Sequence, residues 1–143
     1  MTKYCISSRD GVVDNNLELL PEDDAATANW GSDWCMPSFD QVLELISEKN
    51  TTTEWTTLNG VDCMKMTSKK NGKTLFLPAA GTGCPMGVAL YDEGKFGFYW
   101  TRSLDEFASA NAHDLFIGFP SSYGYGSVSR AYGYSVRPVR SSK

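Results

Sequence analysis

Residues 38–68 read SFDQVLELISEKNTTTEWTTLNGVDCMKMTS, and the class of the fold turns on them. Ser38 and Gln41 have the spacing of a capping box, in which each side chain satisfies a free N–H of the other residue at a helix start. Phe39, Val42, Leu43 and Ile46 recur at i, i+3, i+4 and i+7, which predicts an amphipathic helix from Pro37 to about Asn50. Asp40, Glu44, Glu48 and Lys49 are left to water. From Thr51 the chemistry switches to strand formers. Asn59-Gly60 then separates EWTTL from VDCMKMTS, and both residues tolerate the positive φ of a type I′ turn, so a tight hairpin is predicted with Trp55 held across it. A helix followed by an antiparallel hairpin is the signature of an α+β fold.

Upstream, residues 1–20 carry little pattern beyond Tyr4–Ile6 and Leu17–Leu20, and predict an irregular N-terminal segment with one irregular strand and a loop. Glu22, Asp23 and Asp24 precede AATANW and Gly31, the arrangement of a short helix with a carboxylate cap and a glycine stop. The acidic group lacks the alternating oxygen ligands of a calcium loop. Downstream, Asn71-Gly72 turns the chain into KTLFLP, which Pro78 stops. AAGTGCPMG reads as a loop, since it has neither the GK[ST] ending nor the following helix of a phosphate cradle. Val88–Tyr91 and Phe96–Trp100 predict two short strands around Asp92-Glu93-Gly94. Residues 113–119 alternate, with His113, Leu115, Ile117 and Phe119 on one face, read as inward, and Asp114, Phe116 and Gly118 on the other, read as displayed. Tyr134–Arg140 predicts a closing strand, with Pro138 at an edge or bulge.

The 143 residues, 41% hydrophobic and 21% charged, suit one folded domain. A net charge of −4 argues against a nucleic-acid or anionic-membrane partner. The late basic residues Arg130, Arg137, Arg140 and Lys143 are too few and too interleaved with apolar residues to form a phosphate track. No apolar run is long enough to span a bilayer, and MTKYCISSRDG lacks the apolar core of a signal peptide, so the chain as given reads as soluble. Cys5, Cys35, Cys63 and Cys84 show no CxxC spacing and no histidine cluster, which disfavours zinc. Buried thiols or one or two disulfides fit them, with mostly free thiols preferred.

No catalytic constellation emerges. The single histidine, His113, sits on an apolar face and has no nucleophile placed beside it by any motif. Asp105 and Glu106 read as a solvated turn beside Leu104 and Phe107. HExxH, GxSxG, Walker and Rossmann signatures are absent from the sequence, and no catalytic residue, metal or cofactor is predicted. What does stand out is composition. Between Phe107 and Val136 there is no Lys, Glu, Gln, Met, Trp, Thr or Cys, and Tyr, Ser, Gly, Phe and Ala dominate. Tyrosine offers broad amphipathic contact at low entropic cost while Ser and Gly adapt around it, as in an antibody-type surface. A solvent loop of the same composition is the alternative.

DDAATANWGSDWCMPS, EWTTLNGVDCMKMTS, NGKTLFLPAAG, GFYW and GYSVRPVR together resemble the Fibrobacter succinogenes major paralogous domain, abundant in Bacteroidetes, over about Tyr4 to Arg140. The resemblance implies a C-type-lectin-like fold with two short helices, a small twisted and mostly antiparallel sheet, and long loops. It also links the chain to variable proteins of diversity-generating retroelements, whose C-terminal region is rewritten by adenine-directed mutagenesis. Altered Asn codons yield Tyr, Ser, Asp, His, Gly, Phe, Ala and Arg but not Lys, Glu, Gln, Met or Trp, so residues 100–134 are the candidate variable region. An ordinary Tyr-rich surface would show the same bias. The family often has Arg in place of Cys35 and an aromatic in place of His113. Its domains commonly begin with a further strand, so residues 1–20 either replace that strand or leave an edge open, which would favour a homo-oligomer.

The function expected on this basis is a non-enzymatic module that binds a protein or glycan on another cell or virion surface. Its predicted contacts are Arg102, Asp105, Asp114, Phe116, Ser121, Ser122, Tyr123, Tyr125, Ser127, Ser129 and Tyr132. Tyr99-Trp100, Leu115, Ile117, Phe119 and GYSVRPVR are expected to be scaffold. The expected setting is the cell surface, the secreted space or a phage virion, if an export or assembly signal lies outside this sequence. A generic adhesive or structural domain is the alternative. An enzyme of the related formylglycine-generating type is a weaker one, because its reactive cysteine pair is not identifiable here.

Overall fold

The computed structural model describes residues 1–85 and 90–141. The first helix, α1 (Ala25–Trp30), starts where Asp24 accepts hydrogen bonds from the backbone N–H of Ala26 and Thr27 at 2.8 and 3.0 Å, and it stops at Gly31 with φ 91°. The same buried carboxylate accepts from Met36 N, tying the helix to the chain just past β1 (Trp34–Cys35). Helix α2 (Phe39–Ile46) carries the expected reciprocal capping box between Ser38 and Gln41. It ends four residues short of Asn50, because polar side chains take over its terminal carbonyls. Asn50 Nδ2 donates to Glu44 O at 2.8 Å and Thr51 Oγ1 donates to Leu45 O. The inward stripe is also rotated from the predicted one. Val42, Leu45 and Ile46 face the core, whereas Leu43 is exposed and Phe39 stacks elsewhere.

Strands β2 (Thr51–Leu58) and β3 (Val61–Ser68) form the predicted hairpin, with Asn59 at φ 51° and Gly60 at φ 80°. Trp55 pairs with Met64 in register. The Gly72 turn leads into β4 (Thr74–Pro78), completing an antiparallel β2–β3–β4 sheet. The segment read as a loop contains β5 (Thr82–Gly83), which pairs with β6 (Leu90–Tyr91). The rest of the predicted Val88–Tyr91 strand lies outside the described residues. Strand β7 (Phe96–Leu104) runs past Trp100 through an irregularity, because Thr101 Oγ1 donates to His113 O at 2.8 Å and accepts from Ser103 N, holding a polar run inside the sheet. Strands β8 (Asn111–Gly118) and β9 (Ser122–Ser129) complete the β7–β8–β9 sheet. The closing strand shortens to β10 (Val139–Arg140), paired with β1. Ahead of it, Ser135 bonds both Trp100 N and Phe98 O along the free edge of β7.

The architecture is therefore a small mixed α+β domain with several small antiparallel sheets in place of the one expected. Val42, Met64, Met66, Leu77, Tyr99, Leu115 and Ile117 form the core between α2 and the two three-stranded sheets. A smaller cluster of Tyr4, Leu104 and Ala112 anchors the N-terminal segment. That segment holds a single bridge, Glu18 to Ser103, and no named strand.

Residues 113–119 do not keep the predicted division into an inward and a displayed face. Leu115 and Ile117 point inward as expected, but Phe119 lies in the turn beyond β8, 61% exposed, edge-on to Trp55. Asp114, predicted to be displayed, is only 2% exposed. Alternation separates two faces but cannot say that one of them meets water. Here α2 and the first sheet cover one face, and a row of aromatic rings covers the other.

Candidate functional site

That aromatic row follows from register. Phe96, Phe98 and Trp100 alternate along β7, opposite Gly118, Phe116 and Asp114 on β8. The returning chain lays Tyr134 across them, with ring centroids 5.0 Å from Phe98 and 4.5 Å from Trp100, and Tyr132 continues the stack at 5.9 Å. The Tyr-Gly alternation of β9 fits this crowding. A Cβ on Gly124 would lie 2.8 Å from the Phe116 ring, and one on Gly126 would lie 2.7 Å from Asp114 Oδ1. The glycines make room for their register partners, while Tyr123 and Tyr125 go to the α2 side. Burial pushes the Asp114 carboxyl up to about 6, against the opposing pull of the Gly126 N–H, and its Oδ1 has no hydrogen-bond partner. Burial also pushes the Tyr134 hydroxyl up to about 12.

The opposite side of the sheet opens at the far end of the hairpin into a cleft of about 450 Å³. Its walls come from Leu17 and Glu18, the start of α2, the end of β7 with the turn after it, and His113. His113 lies flat on Phe39, with centroids 4.0 Å apart and 9° between planes, and Tyr125 meets Phe39 edge-on at 5.1 Å. The turn is preorganised by Asp105, which accepts from Phe107 N at 2.7 Å, from Ala108 N at 3.0 Å and from the Ser127 hydroxyl. The Ser127 and Phe107 bonds hold this carboxyl below its usual range. Fixing the turn this way leaves Phe107 projecting, 86% exposed. Asp40, Asp105 and Glu106 make the cleft acidic, the Glu18 carboxylate being paired with Arg102, and no Lys or Arg lines it among the described residues.

The predicted contacts thus divide. Asp105, Tyr125 and Ser127 gather at or beside this cleft. Arg102 does not join them as a free contact. Its Nε pairs with Glu18 at 3.0 Å and its Nη1 donates to Cys35 Sγ at 3.6 Å, so it braces the N-terminal segment. Asp114 is buried and Phe116 half-buried on the opposite face, where Tyr132 also lies. Tyr123 packs on the core, Ser121 and Ser122 are exposed at the other end of the hairpin, and Ser129 accepts from Ala131 N. The cleft residues outside that prediction are Leu17, Glu18, Phe39, Asp40, His113 and, around Asp105, Ser103, Leu104, Glu106 and Phe107. Phe107 left a signal as a large aromatic inside a polar turn, and Glu106 and His113 were visible as a carboxylate in that turn and as the single histidine.

No family model, curated protein or solved structure matches the chain. Among the described residues, no group of three or more His, Cys, Asp or Glu side chains could hold a metal ion, and no helix is long and apolar enough to cross a membrane. All four cysteines are free.

Proposed function

We propose that the protein is a non-enzymatic, C-type-lectin-like binding module of the Fibrobacter succinogenes major paralogous type, which recognises a protein or glycan on another cell or virion surface. The observation that carries this reading is the acidic cleft flanked by exposed aromatic rings, Phe107 at 86% and Tyr125 at 54%, on a turn and strand held by fixed hydrogen bonds. Aromatic side chains on a preorganised frame supply most of the energy in such contacts, and ordering the site beforehand lowers the entropic cost of binding. The carboxylates favour a ligand that presents amino or guanidinium groups, which among the two classes points to a protein.

The composition of residues 107–136 favours diversification of this surface, since much of it forms the β8–β9 hairpin. A reverse-transcriptase gene and a near-copy of the segment encoding residues 100–140 beside this gene are expected; finding neither would leave a fixed adhesive surface as the better reading. For the cleft itself, probing glycan arrays and biotinylated cell-surface proteins should yield a partner, and a Phe107→Ala, Tyr125→Ala double variant should lose it with little change in melting temperature. Retention of the partner by that folded variant would remove the cleft from the proposal.

A further inference from the structure

A second cavity, of about 200 Å³, opens between α2, β4 and the closing segment, away from the acidic cleft. Its floor is apolar and belongs to the core, with Val42, Leu77, Leu115 and Tyr99 each no more than 4% exposed. The one polar group in that floor is already satisfied, because the Tyr99 hydroxyl donates to Pro78 O. Two donors stand at the mouth. Gln41 uses its Oε1 to accept from Ser38 N in the capping box, which leaves its amide N–H groups to other partners. Arg137 is exposed, and among the described residues its guanidinium has neither an ion pair nor a hydrogen bond. The lining therefore combines an apolar interior with a single positive charge at its opening.

We propose that this cavity binds a small monocarboxylate, with its hydrocarbon chain or ring among the core side chains and its carboxylate on Arg137. Volume limits the body of the ligand. An apolar cavity of about 150 Å³ holds a benzene-sized molecule, and sites for drug-sized ligands begin at about 300 Å³. Charge selects the head group. A cationic ligand would meet Arg137 unfavourably, and a polyphosphate would need more cations than one, whereas a carboxylate matches the two-pronged guanidinium. The Arg137 charge also opposes the upward push of burial on the Tyr99 hydroxyl, which places the guanidinium within electrostatic reach of the cavity floor. This site does not depend on the binding role given to the acidic cleft.

The test is a titration of methyl-labelled protein with octanoate and, separately, with 1-octanol. Octanoate should cause saturable shifts of the Leu77 and Leu115 methyl signals, and 1-octanol should bind at least about tenfold more weakly, because it lacks the charge-assisted bond. Arg137→Gln, an exposed position whose replacement leaves the core intact, should weaken octanoate by about tenfold and leave 1-octanol unchanged. Absence of saturable methyl shifts, equal affinity for the two ligands, or an unaltered octanoate affinity in Arg137→Gln would each overturn the proposal.

Discussion

The β2–β3–β4 sheet turns one face to the core and leaves most of the other to water, where Thr52, Glu54 and Leu58 are exposed and Glu54 pairs with Lys65 at 3.5 Å. The β7–β8–β9 sheet is covered on both faces, so that Leu115 and Ile117 on one side of β8 and Ala112 and Asp114 on the other are all buried. The first sheet is built from adjacent hairpins, and on its outer face only Cys63 is fully buried. In the second, cover comes from Val42 of α2 and the first sheet on one side and from Tyr132 and Tyr134 on the other, residues distant in sequence from much of what they protect. A strand carboxylate is therefore displayed at Glu54 in one sheet and trapped at Asp114 in the other.

The largest expected effects test what the two sheets share. Met64 and Ile117 are both fully buried in the same core, so Met64→Ala and Ile117→Ala should each cost about 3–4 kcal/mol in urea unfolding. A near-neutral Ile117→Ala would mean that the second sheet is not part of that core.

Asp114 separates the sheets by pH. With its folded-state carboxyl pushed up from 3.8 to about 6, the unfolded chain releases this proton first, and the folded state holds more protons between those values. Its contribution to stability therefore falls as pH rises from about 4 to 6 and stays unfavourable above that range. Asp114→Asn should raise stability at neutral pH by about 1–3 kcal/mol and have less effect near pH 4. Asp105 acts in the opposite sense, because its lowered carboxyl stabilises the fold above the unfolded value and loses that contribution on acidification. Denaturation curves across pH for wild type and Asp114→Asn check the sign; an unchanged profile would show that the carboxyl is not trapped.

Glycine sharpens the same contrast. Gly126→Ala should cost about 1–3 kcal/mol by crowding Asp114 Oδ1, and the loss should shrink when Asp114 is also Ala. Gly60→Ala has open space around it but φ 80°, so its cost of about 1–2 kcal/mol should be unaffected by any neighbour. Equal losses for Gly126→Ala in both backgrounds would contradict the steric account of the β9 glycines. The smallest effect belongs to Phe107→Ala, which should change stability by no more than about 0.5 kcal/mol, since the ring covers nothing. A larger loss would make Phe107 a packing residue and weaken its place at the cleft.

By itself the sequence determined what local chemistry decides. The capping box at Ser38 and Gln41, the Asp24 cap with its Gly31 stop, and the Asn59-Gly60 hairpin all form as read, because hydrogen-bond reach and φ preference act over a few residues. Alternation likewise set Leu115 and Ile117 on one face. Only the tertiary structure decided which faces meet solvent. Tyr134 returns from a distant segment to cover Trp100, which buries Asp114, while Asp105 and Ser127 join across 22 residues to project Phe107 beside a wall from α2. Strand periodicity fixes the side of a sheet on which a residue stands, but solvent access depends on what the remainder of the chain packs against that side.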